Sequence, residues 1–170
     1  MKSILNGEKS VSKRYISEQE MKTGVLDIVS QMYSDDWRPD IIVGVTRGGL
    51  IPAVMMSHYT GIRMETIDVR LRDTFNSPEH ALWMAEEAGA GKRILILDDI
   101  NDTGETFKWI VKDWEESNPP ADWVDIWGNN VRFATIIDNV PSKFDVDYTS
   151  IEINKAEDPA WIVFPFEEWW

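Results

Sequence analysis

The chain has 170 residues, 43% of them hydrophobic, which is one domain's worth of sequence with apolar material enough for a core without disulfide or metal staples. Thirty acidic against 17 basic side chains leave a formal net charge of −13. This argues against a sequence-independent nucleic-acid binder and against residence on anionic lipid, though not against a local cationic pocket. Cysteine is absent, which removes disulfides, thiolate nucleophiles and zinc ribbons. No run reaches the roughly 18 apolar residues of a membrane span, and residues 1–8 hold no apolar signal core. The expectation is a cytoplasmic protein with neither a nucleic acid nor a membrane as partner.

In chain order, residues 1–14 are polar and basic and are expected to be loosely held. Ser17 with Glu20 reads as a capping box. Met21, Val25, Ile28, Val29 and Met32 follow at helical spacing and predict a helix over 17–33. Ile41-Ile42-Val43-Gly44-Val45 is a short β-branched run, the mark of a strand buried on both faces. Thr46-Arg47-Gly48-Gly49 comes next, then a helix predicted over 51–58 and a strand over 63–69. Residues 70–91 are polar and hold Pro78, with a short helix predicted over 79–88. Arg93-Ile94-Leu95-Ile96-Leu97 is the clearest strand. After Thr103-Gly104, the residues Phe107, Ile110, Val111 and Trp114 mark one face of a helix that Asn118-Pro119-Pro120 ends. A further strand is predicted over 131–137. Strands alternating with helices imply an α/β fold with a parallel, doubly wound sheet, whose ligands bind at the carboxyl ends of the strands.

The chemistry concentrates in Ile94-Leu95-Ile96-Leu97-Asp98-Asp99-Ile100-Asn101-Asp102-Thr103-Gly104-Glu105-Thr106. A buried strand runs out into two adjacent carboxylates, and Thr-Gly-x-Thr then opens a helix. The helix start offers N–H groups, hydroxyls and a positive dipole end to an anion. The carboxylates can accept from sugar hydroxyls or help to hold a hard cation. Phosphate beside two acids points to a phosphorylated ribose, with magnesium. The bland alternative makes Asp98 and Asp99 solvated strand-end residues and Asp102 a helix cap. Response-regulator receiver domains also pair aspartates at a strand tip, but after their first strand and without Thr-Gly-x-Thr.

The segment resembles the phosphoribosyl-pyrophosphate (PRPP) signature of type I phosphoribosyltransferases. The resemblance implies that fold: a central, mainly parallel sheet flanked by helices in a single domain over 1–170, with a catalytic lid over about 70–91 and a small hood over about 148–170. It implies that Asp98 and Asp99 bind ribose hydroxyls, with Asp99 also near the magnesium. Asp102, Thr103, Gly104, Glu105 and Thr106 would form the loop around the 5′-phosphate. A carboxylate at the position of Asp102 is a mark of the purine-salvage members, where it meets the five-membered ring and is the proposed general base.

Thr46, Arg47, Gly48 and Gly49 read by themselves as a glycine-rich strand-to-helix turn. Beside the signature they resemble the family's pyrophosphate loop, in the Arg-Gly-Gly form of the xanthine-guanine branch, which implies a non-proline cis peptide between Thr46 and Arg47. Arg70 and Arg72 are assigned to pyrophosphate neutralisation, with solvated loop arginines as the alternative. His58 and His80 are read as structural or surface residues. At the C-terminus, Trp161-Ile162 with Pro165-Phe166-Glu167 resembles the base-binding segment of xanthine-guanine type enzymes: Trp161 would stack on a purine, and backbone groups of Ile162 would read its edge. Phe164, Phe166, Trp169 and Trp170 are read instead as an aromatic tail docked on the core. The purine family carries a lysine after the strand at 131–137; here Asp138 or Asn139 takes its place, the nearest lysine being Lys143. Asn139 is therefore the expected base-reading side chain.

The resemblance thus implies Mg2+-dependent transfer of 5-phosphoribosyl from PRPP to an oxopurine (guanine, xanthine or hypoxanthine) by a homo-oligomer, dimer or tetramer. The alternatives are a PRPP- or nucleotide-sensing regulator without catalysis and an orotate- or uracil-type enzyme. Asp102 and the Trp161 segment argue against the last.

Overall fold

Ser17 caps the first long helix as its sequence predicts: its Oγ accepts from Glu20 N at 3.1 Å, and Glu20 Oε2 accepts from Ser17 N at 2.8 Å. The structure, a computed structural model, describes residues 10–69 and 82–169. In chain order the elements are β1 (Lys13–Tyr15), α1 (Glu18–Ser34), β2 (Ile41–Val45), α2 (Leu50–Thr60), β3 (Met64–Ile67), α3 (Leu82–Gly89), β4 (Ile94–Asn101), α4 (Glu105–Ser117), α5 (Trp123–Ile126), β5 (Val131–Asn139), β6 (Tyr148–Ile153) and β7 (Trp161–Val163), with a 3-10 turn at Pro165–Glu167. The main sheet runs β3-β2-β4-β5-β6, and every neighbouring pair is parallel.

Two apolar layers follow from the period of two along the strands. Ile42, Leu95, Leu97, Ala134 and Ile136 face one way and bury Met21, Val25, Ile28 and Met32 of α1 with Ala53 and Met56 of α2. Ile41, Val43, Ile94, Ile96 and Phe133 face the other way, against Met84 and Ala88 of α3 and Phe107, Ile110 and Trp114 of α4. Each fully buried side chain of this size contributes about 1.5–3 kcal/mol relative to exposure. The second layer is strongly aromatic. Trp123 and Trp127 stack at 4.9 Å, and Phe107 lies 4.9 Å from Phe133 and 5.3 Å from Phe144.

Three expectations change. The hood expected from residue 148 begins later, because Tyr148–Ile153 is the fifth strand of the main sheet. That strand is pinned to α1 by Gln31 Nε2 donating to Thr149 O (2.7 Å) and Ser150 Oγ donating to Asp27 Oδ2 (2.6 Å). Its alternating, half-polar sequence hid it. A separate two-stranded sheet pairs β1 in parallel with β7, joining the two ends of the described chain; Lys13–Tyr15 is thereby held in a strand rather than loose. Finally, the stretch expected to be a lid over 70–91 divides. Residues 70–81 lie outside the described residues, and α3 beyond them buries Met84, Ala85 and Ala88 in the core, so that part serves packing.

Candidate active site

Three segments, at the carboxyl ends of β2, of β4, and of β5 with β6, meet where open parallel sheets bind ligands. The first is the β2–α2 loop. Its peptide bond Thr46–Arg47 is cis, as the resemblance implied. Thr46 Oγ1 donates to Asp68 Oδ1 at 3.0 Å, and the Arg47 side chain is exposed. Gly49 N donates to Val45 O at 2.9 Å, which curls the loop tightly over the strand end. A Cβ on Gly48 would overlap the Asp99 carboxylate. Glycine there lets the loop lie directly against the tip of β4.

The second segment is that tip. Asp98 is buried, and its Oδ1 accepts from Asp99 N at 2.8 Å; Asp99 Oδ1 accepts in turn from Ile100 N at 2.8 Å. Burial pushes the Asp98 carboxyl well above the ordinary carboxylate range, and the adjacent Asp99 charge adds to the shift. Burial also raises Asp99, with the charge of Glu167 contributing. Beyond the tip, Asn101 is a buried staple: its Nδ2 donates to Asp138 Oδ1 (2.8 Å) and Phe144 O (2.7 Å), and its Oδ1 accepts from Ser142 Oγ (3.0 Å). This fixes the turn Asp102-Thr103-Gly104 against the Ser142–Phe144 loop, with Lys143 N donating to Thr103 O at 3.2 Å. Gly104 caps α4 at φ +88°, and a Cβ there would lie 2.7 Å from Phe144 Cβ. Only glycine meets both conditions. Glu105 N donates to Thr103 Oγ1 at 3.4 Å.

A cleft of about 280 Å3 is lined by Thr46, Gly48, Asp98, Asp99, Asp102, Thr103, Gly104 and Thr106. A second cavity, about 370 Å3, shares Gly48 and Asp99 with it and adds Arg47, Phe166 and Glu167. The structure therefore brings the expected carboxylates, the Thr-Gly-x-Thr turn and the Arg-Gly-Gly loop together. Arg70, Arg72, His80 and Trp170 lie outside the described residues, and His58 is exposed on α2. Asp98 is buried and Asp99 half-buried beside it, and their carboxylates are the hard oxygen donors that a divalent cation takes. Asp99, beside Asp98, thus fits a magnesium ion.

The third segment differs from expectation. Asn139 is buried and its amide is fully engaged: Nδ2 donates to Asp102 O (2.9 Å) and Asp102 Oδ1 (3.2 Å), while Oδ1 accepts from Lys155 N (3.0 Å). It supports Asp102 and Lys155 rather than offering a free amide to a base. The Lys155 ammonium lies 2.7 Å from Asp102 Oδ2 and 6.0 Å from the Trp161 ring centroid. Lys143, the nearest lysine in sequence, is exposed. Lys155 was legible in principle, because it stands two residues past β6, but only to a reading that recognised β6 as a strand. Glu167, read from the sequence only as part of the C-terminal base-binding segment, lies by Asp99 because folding brings the C-terminal turn there.

Trp161 is 61% exposed at the start of β7, while Phe164 is buried and stacks on Phe166 at 5.4 Å. Trp161 N donates to Ser12 O, and Val163 O accepts from Ile16 N. Both residues thus turn their backbone groups toward β1. Alternation aims the N–H and C=O of Ile162 at the opposite edge. Trp169, expected to dock on the core, is 84% exposed.

The sequence model of the family described as "phosphoribosyl transferase domain" matches residues 12–169. A xanthine-guanine phosphoribosyltransferase of Cereibacter sphaeroides is 30% identical over 135 residues, covering 77% of this chain and 70% of that protein. Among solved structures, a purine phosphoribosyltransferase from Pyrococcus horikoshii superimposes with a TM-score of 0.66 at 24% identity, over 93% of this chain and 95% of that one. A xanthine-guanine-hypoxanthine phosphoribosyltransferase of Helicobacter pylori gives 0.66 at 18% identity, over 92% and 94%. Among the described residues, no helix is long and apolar enough to cross a membrane.

Proposed function

The chain belongs to the phosphoribosyltransferase family of enzymes, and from that membership we propose that it transfers the 5-phosphoribosyl group of PRPP to an oxopurine, giving a nucleoside monophosphate and pyrophosphate. The observation that carries this reading is the single cleft shared by Asp98, Asp99, Asp102, Thr103, Gly104, Thr106, Thr46 and Gly48. The Thr103–Thr106 turn at the start of α4 receives the 5′-phosphate through N–H groups, hydroxyls and the helix dipole. Glu105 stands in that turn and contributes through its backbone. Asp98 and Asp99 accept from the ribose hydroxyls. Thr46, Arg47, Gly48 and Gly49 take the pyrophosphate, with Arg47 as a charge-assisted fork; Arg70 and Arg72 belong to the same proposal. Asp99 would hold a magnesium ion, and the chemistry that ion would supply is positive charge for the leaving pyrophosphate.

In the transfer, the bond from ribose C1 to the pyrophosphate oxygen breaks and that oxygen keeps the electron pair. A ring nitrogen of the base forms the new bond to C1. The proton released from the five-membered ring passes to a carboxylate oxygen of Asp102, which stands in the cleft with a half-exposed side chain. Trp161 offers its exposed ring to the face of the base, and the backbone of Ile162 offers its free edge. The relatives' printed activities support the choice of a purine.

The test is a spectrophotometric assay with PRPP and magnesium against guanine, hypoxanthine, xanthine and adenine. Turnover of an oxopurine that falls by about 10²–10⁴-fold in Asp102→Asn, with PRPP binding retained by calorimetry, is the expected result. PRPP binding without turnover of any base would overturn the enzyme reading in favour of a nucleotide-sensing regulator.

A further inference from the structure

We propose that Asn101 is a positioning residue for PRPP: it holds the turn that receives the 5′-phosphate in place by tying it to the chain beyond β5. The inference rests on the phosphoribosyl-transfer reading of the same cleft. In sequence, Ile100 and Asn101 are only the spacers between Asp99 and Asp102. Ile100 behaves as one and packs against the α1 side of the core. Asn101 does not. It is an amide at 2% exposure, at a strand end where an apolar side chain would serve burial alone. A polar group so buried has to be bonded, and the side-chain bonds of Asn101 all reach beyond its own strand. Nδ2 donates to Asp138 Oδ1 at 2.8 Å and to Phe144 O at 2.7 Å, and Oδ1 accepts from Ser142 Oγ at 3.0 Å. The carboxylate and the carbonyl can only accept, which fixes the orientation of the amide.

The three partners belong to β5 and the loop that follows it, and that loop lies on the phosphate turn. Lys143 N donates to Thr103 O at 3.2 Å. A Cβ on Gly104 would lie 2.9 Å from Phe144 N and 3.0 Å from Ser142 Oγ. Asn101 thus anchors the support against which Thr103 and Gly104 rest. N–H donors bind an anion well only when aimed at it, because a hydrogen bond weakens steeply with misalignment. A turn aimed before PRPP arrives also spares the ligand the cost of ordering it. The Asp138 end of the anchor is matched to this task. Burial raises its carboxyl, the Asn101 amide opposes the rise, and the charges of Glu152 and Asp145 add to it. Removing the amide therefore unpairs a half-buried carboxylate at the end of β5.

The test compares Asn101→Leu, of similar size, with Ser142→Ala, which removes one arm of the anchor and keeps the others. Steady-state kinetics and calorimetry with PRPP and magnesium are read beside far-UV circular dichroism and a melting curve. In Asn101→Leu, KM and Kd for PRPP should rise about 10- to 100-fold, the scale of one misaligned charge-assisted hydrogen bond, while KM for the base stays unchanged. Ser142→Ala should move PRPP in the same direction by less. A swap isolates the bond between the strands. Asn101→Asp sets one carboxylate against another and should weaken PRPP binding further than Asn101→Leu. Adding Asp138→Asn restores a donor across the gap and should recover most of that loss. A folded Asn101→Leu with wild-type PRPP affinity overturns the proposal. So does a lower kcat with both KM values unchanged, which would report only a smaller active fraction. Where Asn101→Leu fails to fold, wild-type PRPP affinity in Ser142→Ala, or a swap that recovers nothing, overturns it. A wild type that turns over no base, yet binds PRPP in an Asn101-dependent way, overturns the transfer reading alone.

Discussion

Gly48 rests against Asp99 so closely that any side chain at position 48 would enter the space of the carboxylate. The contact joins the loop after β2 to the tip of β4, and so couples the site proposed for pyrophosphate to that proposed for ribose and metal. The obstacle is the end of a short side chain, so the fold can accommodate Gly48→Ala by moving Asp99. We expect the variant to keep its far-UV circular dichroism and melt within a few degrees of wild type. Its kcat/KM should fall by about 10²-fold, the scale for a reacting group misplaced by about an ångström. Steady-state kinetics beside a melting curve checks both halves.

Gly104 is predicted to behave differently. Its positive φ and the 2.7 Å approach to Phe144 Cβ leave no room for adjustment by a side-chain end. Gly104→Ala should therefore lose about 1–3 kcal/mol of stability. The same change distorts the turn that receives the 5′-phosphate, so PRPP binding by calorimetry should fail even well below the melting temperature. Full PRPP affinity in this variant would remove Gly104 from the phosphate site.

Asp98→Asn is expected to stabilise the protein at neutral pH. The Asp98 carboxyl is raised well above the ordinary range by burial and by Asp99, so the folded state binds the proton more tightly than the unfolded state. Stability from this group is present below the unfolded pKa and is lost as pH rises from the ordinary carboxylate range through the raised folded value. In metal-free buffer, wild type should thus lose melting temperature over that window. Asp98→Asn keeps an oxygen to accept from Asp99 N and should flatten the slope. At neutral pH it should melt a few degrees higher, at about 2–4 °C per kcal/mol for a domain of this size. The same variant should bind PRPP more weakly, a gain in stability at the expense of the site.

Trp161 separates binding from folding in the opposite way. Its ring is mostly exposed, so Trp161→Ala should leave the melting temperature nearly unchanged. Loss of a stacking platform worth about 1–3 kcal/mol should raise KM for the base by about one to two orders of magnitude without changing KM for PRPP. Trp161→Phe should recover most of that loss. Equal KM for the base in all three proteins would sink the stacking role.

Much of this was legible in the chain because it is local. The Ser17–Glu20 box, the buried run Ile94–Leu97 and the Asp-Asp-x-x-Asp-Thr-Gly-x-Thr succession depend on neighbours in sequence, and the physics of a strand tip feeding a helix start is written within thirteen residues. Three strands, β2, β4 and β5, were plain because burial on both faces demands continuous apolar runs. The edge strand β6 and the paired strands β1 and β7 were not, since a half-buried strand needs only a few apolar positions and takes its remaining identity from its partners.

The same division runs through the site. Which carboxylates end the central strand, and which glycines allow backbone to approach them, can be read from the chain alone, because these are constraints on one segment. It takes folding to turn Asn139 inward to hold Asp102, and to bring the ammonium of Lys155, 53 residues beyond Asp102, to that carboxylate. A long side chain just beyond an edge strand carries no sequence signal for its target. The target is set by which strand ends the parallel sheet places side by side.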